Sequence, residues 1–216
     1  MITRLCAVLA ACAVVAGCSR SGDAPAATER TASASAPKTA NDLAQNSAHR
    51  TLKVPGENFV LTVDYFLTAY DATKWQTLAA KDVNVSAYVK PSGAGPVPRV
   101  MLGSFEARTQ LRAVEPALDA LPVAATDDRP PSAVAGYVMS AAYPYSAVVP
   151  VDGYSATLVD RWRYLAGDQA LTEQGLVRAG VYANRLTFSY GLLVKDTTGY
   201  HKRSVVDSLT VPVVAG

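Results

Sequence analysis

From Phe59 onward the dominant hydrophobic period is two. Phe59, Leu61, Val63, Tyr65, Leu67 and Ala69 alternate with a side that carries Thr62, Asp64 and Thr68, which predicts a half-buried strand. Val83, Val85, Ala87 and Val89 alternate with Asn84, Ser86, Tyr88 and Lys90, and Pro91 ends this second strand because it cannot donate to a ladder. Near the C-terminus, Leu186, Phe188, Tyr190, Leu192 and Val194 form one apolar face. The stretch Asp196-Thr197-Thr198-Gly199 supplies turn chemistry, and Val205, Leu209, Val211 and Val213 form the returning face, interrupted by Asp207. Val149-Pro150-Val151, Asp152-Gly153 and Tyr154 to Tyr164 read as a further hairpin with a type I′ turn, and Pro150 places its first arm at a sheet edge. Weaker strand signals at Val100 to Leu111, Val134 to Ala142 and Leu176 to Ala183 bring the expectation to about eight strands.

Helical signals are short. Asp71 is placed to cap a turn carrying Trp75, Leu78 and Ala79, and Glu115-Pro116 to open another that reaches Leu121. Many short antiparallel strands, each with one solvated face, predict an all-β domain. The expected architecture is an antiparallel β-sandwich, an immunoglobulin- or fibronectin-like Greek key with one or two short helical turns.

Ahead of the strands the pattern changes twice. Arg4 precedes an apolar run from Leu5 to Val15, which is shorter than the roughly 20 residues a spanning helix needs and has the length of a signal-peptide core. The run ends in Val15-Ala16-Gly17-Cys18, small residues leading straight into a cysteine whose thiol can be joined to diacylglycerol. Leu9-Ala10-Ala11-Cys12 has the same four-residue form but leaves only Leu5 to Val8 ahead of it as apolar core. The first 18 residues thus resemble the lipobox signal of bacterial lipoprotein precursors. That resemblance implies cleavage after Gly17 and lipidation of Cys18, and with Ser19 rather than Asp next in line it implies the outer membrane.

From Ser19 to about Arg50 the chain is rich in Ala, Ser, Thr, Pro, Lys and Asp, with Leu43 its one large apolar residue. Such a segment buries too little surface to offset the entropy of ordering, and a tether of about 35 residues has an average span on the order of 30–35 Å. The alternative for Asn41 to Ala48 is a short helix docked on the domain. The expected division is a signal peptide at 1–17, a lipidated cysteine and flexible tether at 18–55, and the β-sandwich at 56–216.

Cysteine usage and charge narrow the chemistry. The three cysteines, Cys6, Cys12 and Cys18, all lie in or at the end of the signal, so the exported domain can hold no disulfide, redox pair or thiolate metal site. The formal charge is +2, and loss of Arg4 with the signal leaves +1, which argues against nucleic acid as a partner. Motifs for serine hydrolases, P-loops, zincins and dinucleotide sites are absent. Gly93-Ala94-Gly95 runs into Pro96 and Pro98 and reads as a loop. His201 is the single imidazole outside the tether, beside Lys202 and Arg203 past a hairpin turn, and reads as a solvated strand end. Asp127-Asp128, followed by Arg129-Pro130-Pro131, reads as an exposed loop rather than a carboxylate pair or calcium site.

Recognition is the remaining chemistry. Alternation through Asp160-Arg161-Trp162-Arg163-Tyr164 sets Arg161 and Arg163 together, where they would accept an anionic group, with the aromatic side inward. Tyr137, Tyr143, Tyr145 and Tyr154 lie close to Pro144 and Pro150, and loop tyrosines offer contact area at small entropic cost. Tyr143, Tyr145, Tyr154, Arg161 and Arg163 are the candidate partner-binding residues. No catalytic residue, metal or cofactor is expected. The sequence leads to an outer-membrane, periplasm-facing lipoprotein that acts as a binding or assembly factor with an envelope protein partner. An inhibitor or immunity lipoprotein that captures an envelope-acting toxin is the alternative, and a carbohydrate-active hydrolase a more distant one.

Overall fold

The alternation from Phe59 and from Val83 becomes two neighbouring strands at the middle of one sheet. The computed structural model describes residues 36–124, 127–129 and 136–215, with the backbone alone at 127–129. Its strands are β1 (Ser47–Lys53), β2 (Phe59–Phe66), β3 (Lys81–Pro91), β4 (Arg99–Ala113), β5 (Asp127–Arg129), β6 (Tyr137–Val138), β7 (Tyr145–Val151), β8 (Val181–Lys195) and β9 (Tyr200–Pro212). A 3₁₀ turn lies at Ala72–Lys74, and helices α1 (Ala156–Ala166) and α2 (Glu173–Arg178) join β7 to β8.

One sheet has the order β1-β2-β3-β7 and the other β5-β4-β8-β9, with β6 also on β4, and every pairing is antiparallel. The chain crosses from β3 to β4, returns from β6 to β7 and crosses again from β7 to β8, so the pairs β3–β7 and β4–β8 interlock across the two sheets. The fold is therefore the all-β antiparallel sandwich expected from the period-two pattern. Register places Leu61 opposite Val89, Val63 opposite Ala87 and Tyr65 opposite Val85, all buried on the inner face. Tyr65 and Phe188 meet across the sheets with ring centroids 4.6 Å apart, and Phe105 and Tyr190, opposite each other on β4 and β8 of one sheet, at 5.4 Å. These rings fill the middle of the core, where close packing contributes more than the area they bury.

Asp207 marks how one side of the sandwich closes. It faces inward on β9, an edge strand, and its side chain is 12% exposed, with Arg50 Nε of β1 at 3.9 Å. Arg50 also donates to Asp42 at 2.6 Å, and Asp42 accepts from the Thr210 backbone N–H at 2.7 Å. An inward charge on an edge strand that is paired from the opposite sheet discourages a further strand from adding there.

Four expectations are corrected. The segment Tyr154 to Tyr164 is not a hairpin arm: after β7 the Ser155 hydroxyl accepts from the Leu158 N–H at 3.1 Å and opens α1. Leu158 and Trp162 are one helical turn apart and both buried, a spacing that competes with the alternation of Asp160, Trp162 and Tyr164 in so short a run. Gly153 is needed for close approach rather than for a type I′ turn, because a Cβ there would stand 2.4 Å from Leu78 Cα and from the Thr77 carbonyl oxygen. Leu176 lies in α2, so β8 starts at Val181 rather than near Leu176. The tether boundary near 55 also moves, since β1 pairs with β2 from Ser47 to Lys53 and Leu43 is fully buried. Asn41 to Gln45 form turns rather than a helix that runs to Ala48.

Other expectations hold in whole or in part. Asp71 caps a turn by accepting from the Thr73 N–H at 2.9 Å, but this 3₁₀ turn ends at Lys74 and does not carry Trp75, Leu78 or Ala79. Glu115 starts a turn in which its carbonyl accepts from Leu118 and Asp119. Pro150 lies on β7, the free edge of its sheet. A smaller second core of Leu111, Leu118, Val123, Leu158, Trp162, Leu176 and Val181 lies beneath the two helices.

Candidate functional site

The residues expected to form one partner surface are separated by the fold. Tyr143 sits in a turn closed by reciprocal backbone bonds with Ser140, at 3.1 and 3.2 Å, and is 70% exposed. Tyr145, the first residue of β7, points inward and is 8% exposed, its ring 5.5 Å from Phe105 and 5.8 Å from Tyr137. Its place at the surface is thereby corrected. Inner and outer positions alternate along β7, and the turn at 140–143 breaks that alternation just before the strand begins. Tyr154 is 65% exposed in the loop ahead of α1.

Arg161 and Arg163 are exposed but do not share the strand face expected of them. On α1 Trp162 is buried, and the Arg161 guanidinium lies over the exposed Tyr164 ring at 5.8 Å. Arg163 stands 3.8 Å from Asp160, one turn back on the helix. Cys18 lies outside the described residues, as do the side chains of Asp127 and Asp128. His201 is more constrained than a solvated strand end. Its Nε2 is 2.9 Å from Glu57 and its Nδ1 is 3.3 Å from Asp196, while Glu57 also accepts from Arg203 Nε at 2.8 Å. Both ring nitrogens are thus engaged with carboxylates. Among the described residues no group of three His, Cys, Asp or Glu is placed to hold a metal.

The most connected polar region is one the sequence did not single out. Residues 67–80 cross from β2 to β3 over one end of the sandwich, and polar side chains from five places hold them. Asn46 Oδ1 accepts from the Ala72 N–H at 2.8 Å, and Asn41 Nδ2 donates to the Ala72 carbonyl at 2.9 Å. The Glu173 carboxylate, at the start of α2, accepts from the Thr77 N–H and, at 3.0 Å, from the Leu78 N–H. Buried Asn184 on β8 accepts from Trp75 Nε1 at 2.8 Å and from Thr77 Oγ1 at 3.1 Å. The Val214 N–H donates to the Trp75 carbonyl at 2.9 Å.

Lys81 completes this region. It is 7% exposed, donates to the Gln76 carbonyl at 2.7 Å and to the Ala79 carbonyl, and lies 4.6 Å from the Trp75 ring and 5.2 Å from the Tyr70 ring. Burial pulls its ammonium down to about 8, only partly opposed by the Glu173 and Asp152 carboxylates. The arrangement clamps the crossover between β2 and β3. A Lys held below its ordinary value of about 10.4 makes folding more favourable as pH rises from about 8 toward 10, because the unfolded chain binds the extra proton. The stability of the wild type relative to Lys81→Met should therefore rise by about 1–3 kcal/mol between pH 7 and pH 10, read by chemical denaturation at each pH. Tyr65 and Tyr190 oppose this above pH 10, since burial holds both phenols well above the usual tyrosine range, while their shared 3.1 Å hydroxyl contact adds to the rise at Tyr65 and works against it at Tyr190. Their stabilisation is full below about 10 and is lost as the unfolded chain ionises. A difference that stays flat across pH 7–10 would show that burial does not lower the Lys81 ammonium.

No family model matches the chain, and no curated protein matches it. Among solved structures, a protein from Archaeoglobus fulgidus aligns with 78% of this chain and 96% of its own, at 6% identity and a TM-score of 0.28. A likeness that distant carries no argument about this protein.

Proposed function

We propose that this protein is an outer-membrane lipoprotein, facing the periplasm, whose sandwich acts as a binding or assembly factor for an envelope protein. The observation that carries the reading is the apolar run ending in Val15-Ala16-Gly17-Cys18 with Ser19 after it. The absence of any cysteine beyond Cys18 supports it, because an exported domain of this design stands on its hydrophobic core alone. The polar cluster at the crossover supports binding rather than catalysis, since Lys81, Glu173 and the Asn184 side-chain oxygen are engaged by backbone and side-chain partners within it. The exposed Tyr143 and Tyr154, with Arg161 stacked on Tyr164, are the candidate contact residues.

Labelling with radioactive palmitate in a bacterial host tests the anchor. The wild type should incorporate label and fractionate with the outer membrane, and Cys18→Ala should lose essentially all incorporation. Equal labelling of both would overturn the lipoprotein reading. Recovery of the labelled protein only from the inner membrane would overturn the outer-membrane assignment. Crosslinking of the lipidated protein in envelopes then identifies the partner, and a secreted toxin in place of a resident envelope protein would favour the inhibitor alternative.

A further inference from the structure

The two sheets end together at one pole of the sandwich, opposite the 67–80 crossover, and basic residues gather there. Register sets Lys53 and Lys90 on either side of Val60 on the outer face of one sheet. In the other sheet Lys195 pairs with Arg99 on one side and with Tyr200 on the other. Lys202 and Arg203 follow on β9, and Glu57 of the β1–β2 turn reaches Arg203 at 2.8 Å, which brings the ends of the two sheets side by side.

The charges at this pole are unbalanced. Its acids among the described residues are Glu57 and Asp196. Glu57 is engaged by His201 and Arg203, and Asp196 accepts from the N–H groups of Thr198 and Gly199 at 2.7 and 2.9 Å and faces His201. Lys53, Lys90, Arg99, Lys195 and Lys202 are all exposed and have no ion pair among the described residues. Elsewhere Arg50, Lys74, Arg108, Arg112 and Arg163 each have an acidic partner, while Lys38, Arg161, Arg178 and Arg185 have none among the described residues but lie scattered rather than gathered at one end. Rings accompany the basic pole: Lys90 lies 5.0 Å from the Tyr88 ring and Lys195 5.8 Å from that of Tyr200, which is 51% exposed.

We propose that this pole is a docking surface for an anionic phospholipid bilayer. Four of the five unpaired cations at this pole are lysines, point charges on flexible stems that suit the diffuse charge of headgroups better than they suit a discrete bidentate ligand. Tyrosines beside them offer the amphipathic rings favoured at a membrane interface. The cations project outward from strand ends and form no buried polar pocket. The length of chain outside the structure permits the geometry. Seventeen residues separate Cys18 from Ala36, and at about 3.3–3.6 Å per residue they extend to roughly 60 Å, enough for a chain that enters at the opposite pole to let this one meet a surface.

The test does not depend on lipidation, so its failure and that of the lipoprotein reading are distinguishable. The chain from Ser19 onward contains every described residue and is sedimented with vesicles of phosphatidylcholine, either alone or with one third phosphatidylglycerol. Binding should require the anionic lipid, be lost in 0.5 M salt, and fall on the order of a hundredfold in Lys90→Gln/Lys195→Gln/Lys202→Gln. Those three side chains are exposed and unpaired, so the variant should keep the wild-type melting temperature, and Arg108→Gln/Arg112→Gln/Arg163→Gln, away from the pole, should bind as the wild type does. Failure to sediment with anionic vesicles at low salt would overturn the proposal, as would equal binding by the pole variant. Capture by acidic polypeptide but not by vesicles would assign the pole to a protein partner and overturn it too.

Discussion

A chain that begins at Thr51 should be far less stable than one that begins at Ala36. The low-complexity composition up to Arg50 suggests that nothing is lost by removing it, but the structure shows three losses. Leu43 is fully buried in the main core, and removal of a buried leucine typically costs about 2–5 kcal/mol. Ser47 to Arg50 form the first half of β1, so the inner-facing Ala48 and the pairing of that half with Val63 to Phe66 go with them. Asn41 and Asn46 tie down the crossover at Ala72, and Arg50 and Asp42 close the side where Asp207 faces inward. The truncated chain leaves Asp207 without its cation, and an unpaired buried carboxylate is itself costly. Urea titration of the two chains should separate them by at least about 4 kcal/mol, or show the shorter one unfolded in water. Equal midpoints would mean that residues 36–50 contribute no stability.

Tyr143 and Tyr145 should respond in opposite ways to truncation. Tyr145→Ala removes a ring packed between Phe105 and Tyr137 at the start of β7, and loss of an aromatic core side chain costs about 3–5 kcal/mol. Tyr143→Ala removes an exposed ring from a turn held by backbone bonds, and should change stability by no more than about 0.5 kcal/mol. If Tyr143 contacts the envelope partner, its loss weakens capture by an amount that stability does not explain, with about 2 kcal/mol expected for an aromatic anchor. Matching stability losses in the two variants would show that the turn at 140–143 does not separate them.

The same pair shows where sequence reading stops. Two tyrosines flanking a proline look alike in one dimension, because what separates them is a turn in which the Ser140 carbonyl and hydroxyl both accept from the Tyr143 N–H, and a lone serine does not announce such a turn. In Asp160 to Tyr164 the pattern itself was ambiguous. Five residues fit a strand and a helix equally, and the deciding cap, Ser155 to Leu158, lies outside the motif. The crossover was legible only in part. Asp71 announced its turn, but Lys81, Glu173 and Asn184 are far apart in the chain, and none carries a recognisable motif.

The sequence by itself determined the class of fold, since a period of two can bury its apolar positions only on one face of a sheet. It also determined that no thiol chemistry is open to the chain beyond Cys18. Strand order, the burial of Leu43 and Lys81, the inward charge at Asp207 and the basic pole were decided by the tertiary structure alone. Each depends on residues brought together from distant parts of the chain, and local periodicity carries no information about which strand lies beside which.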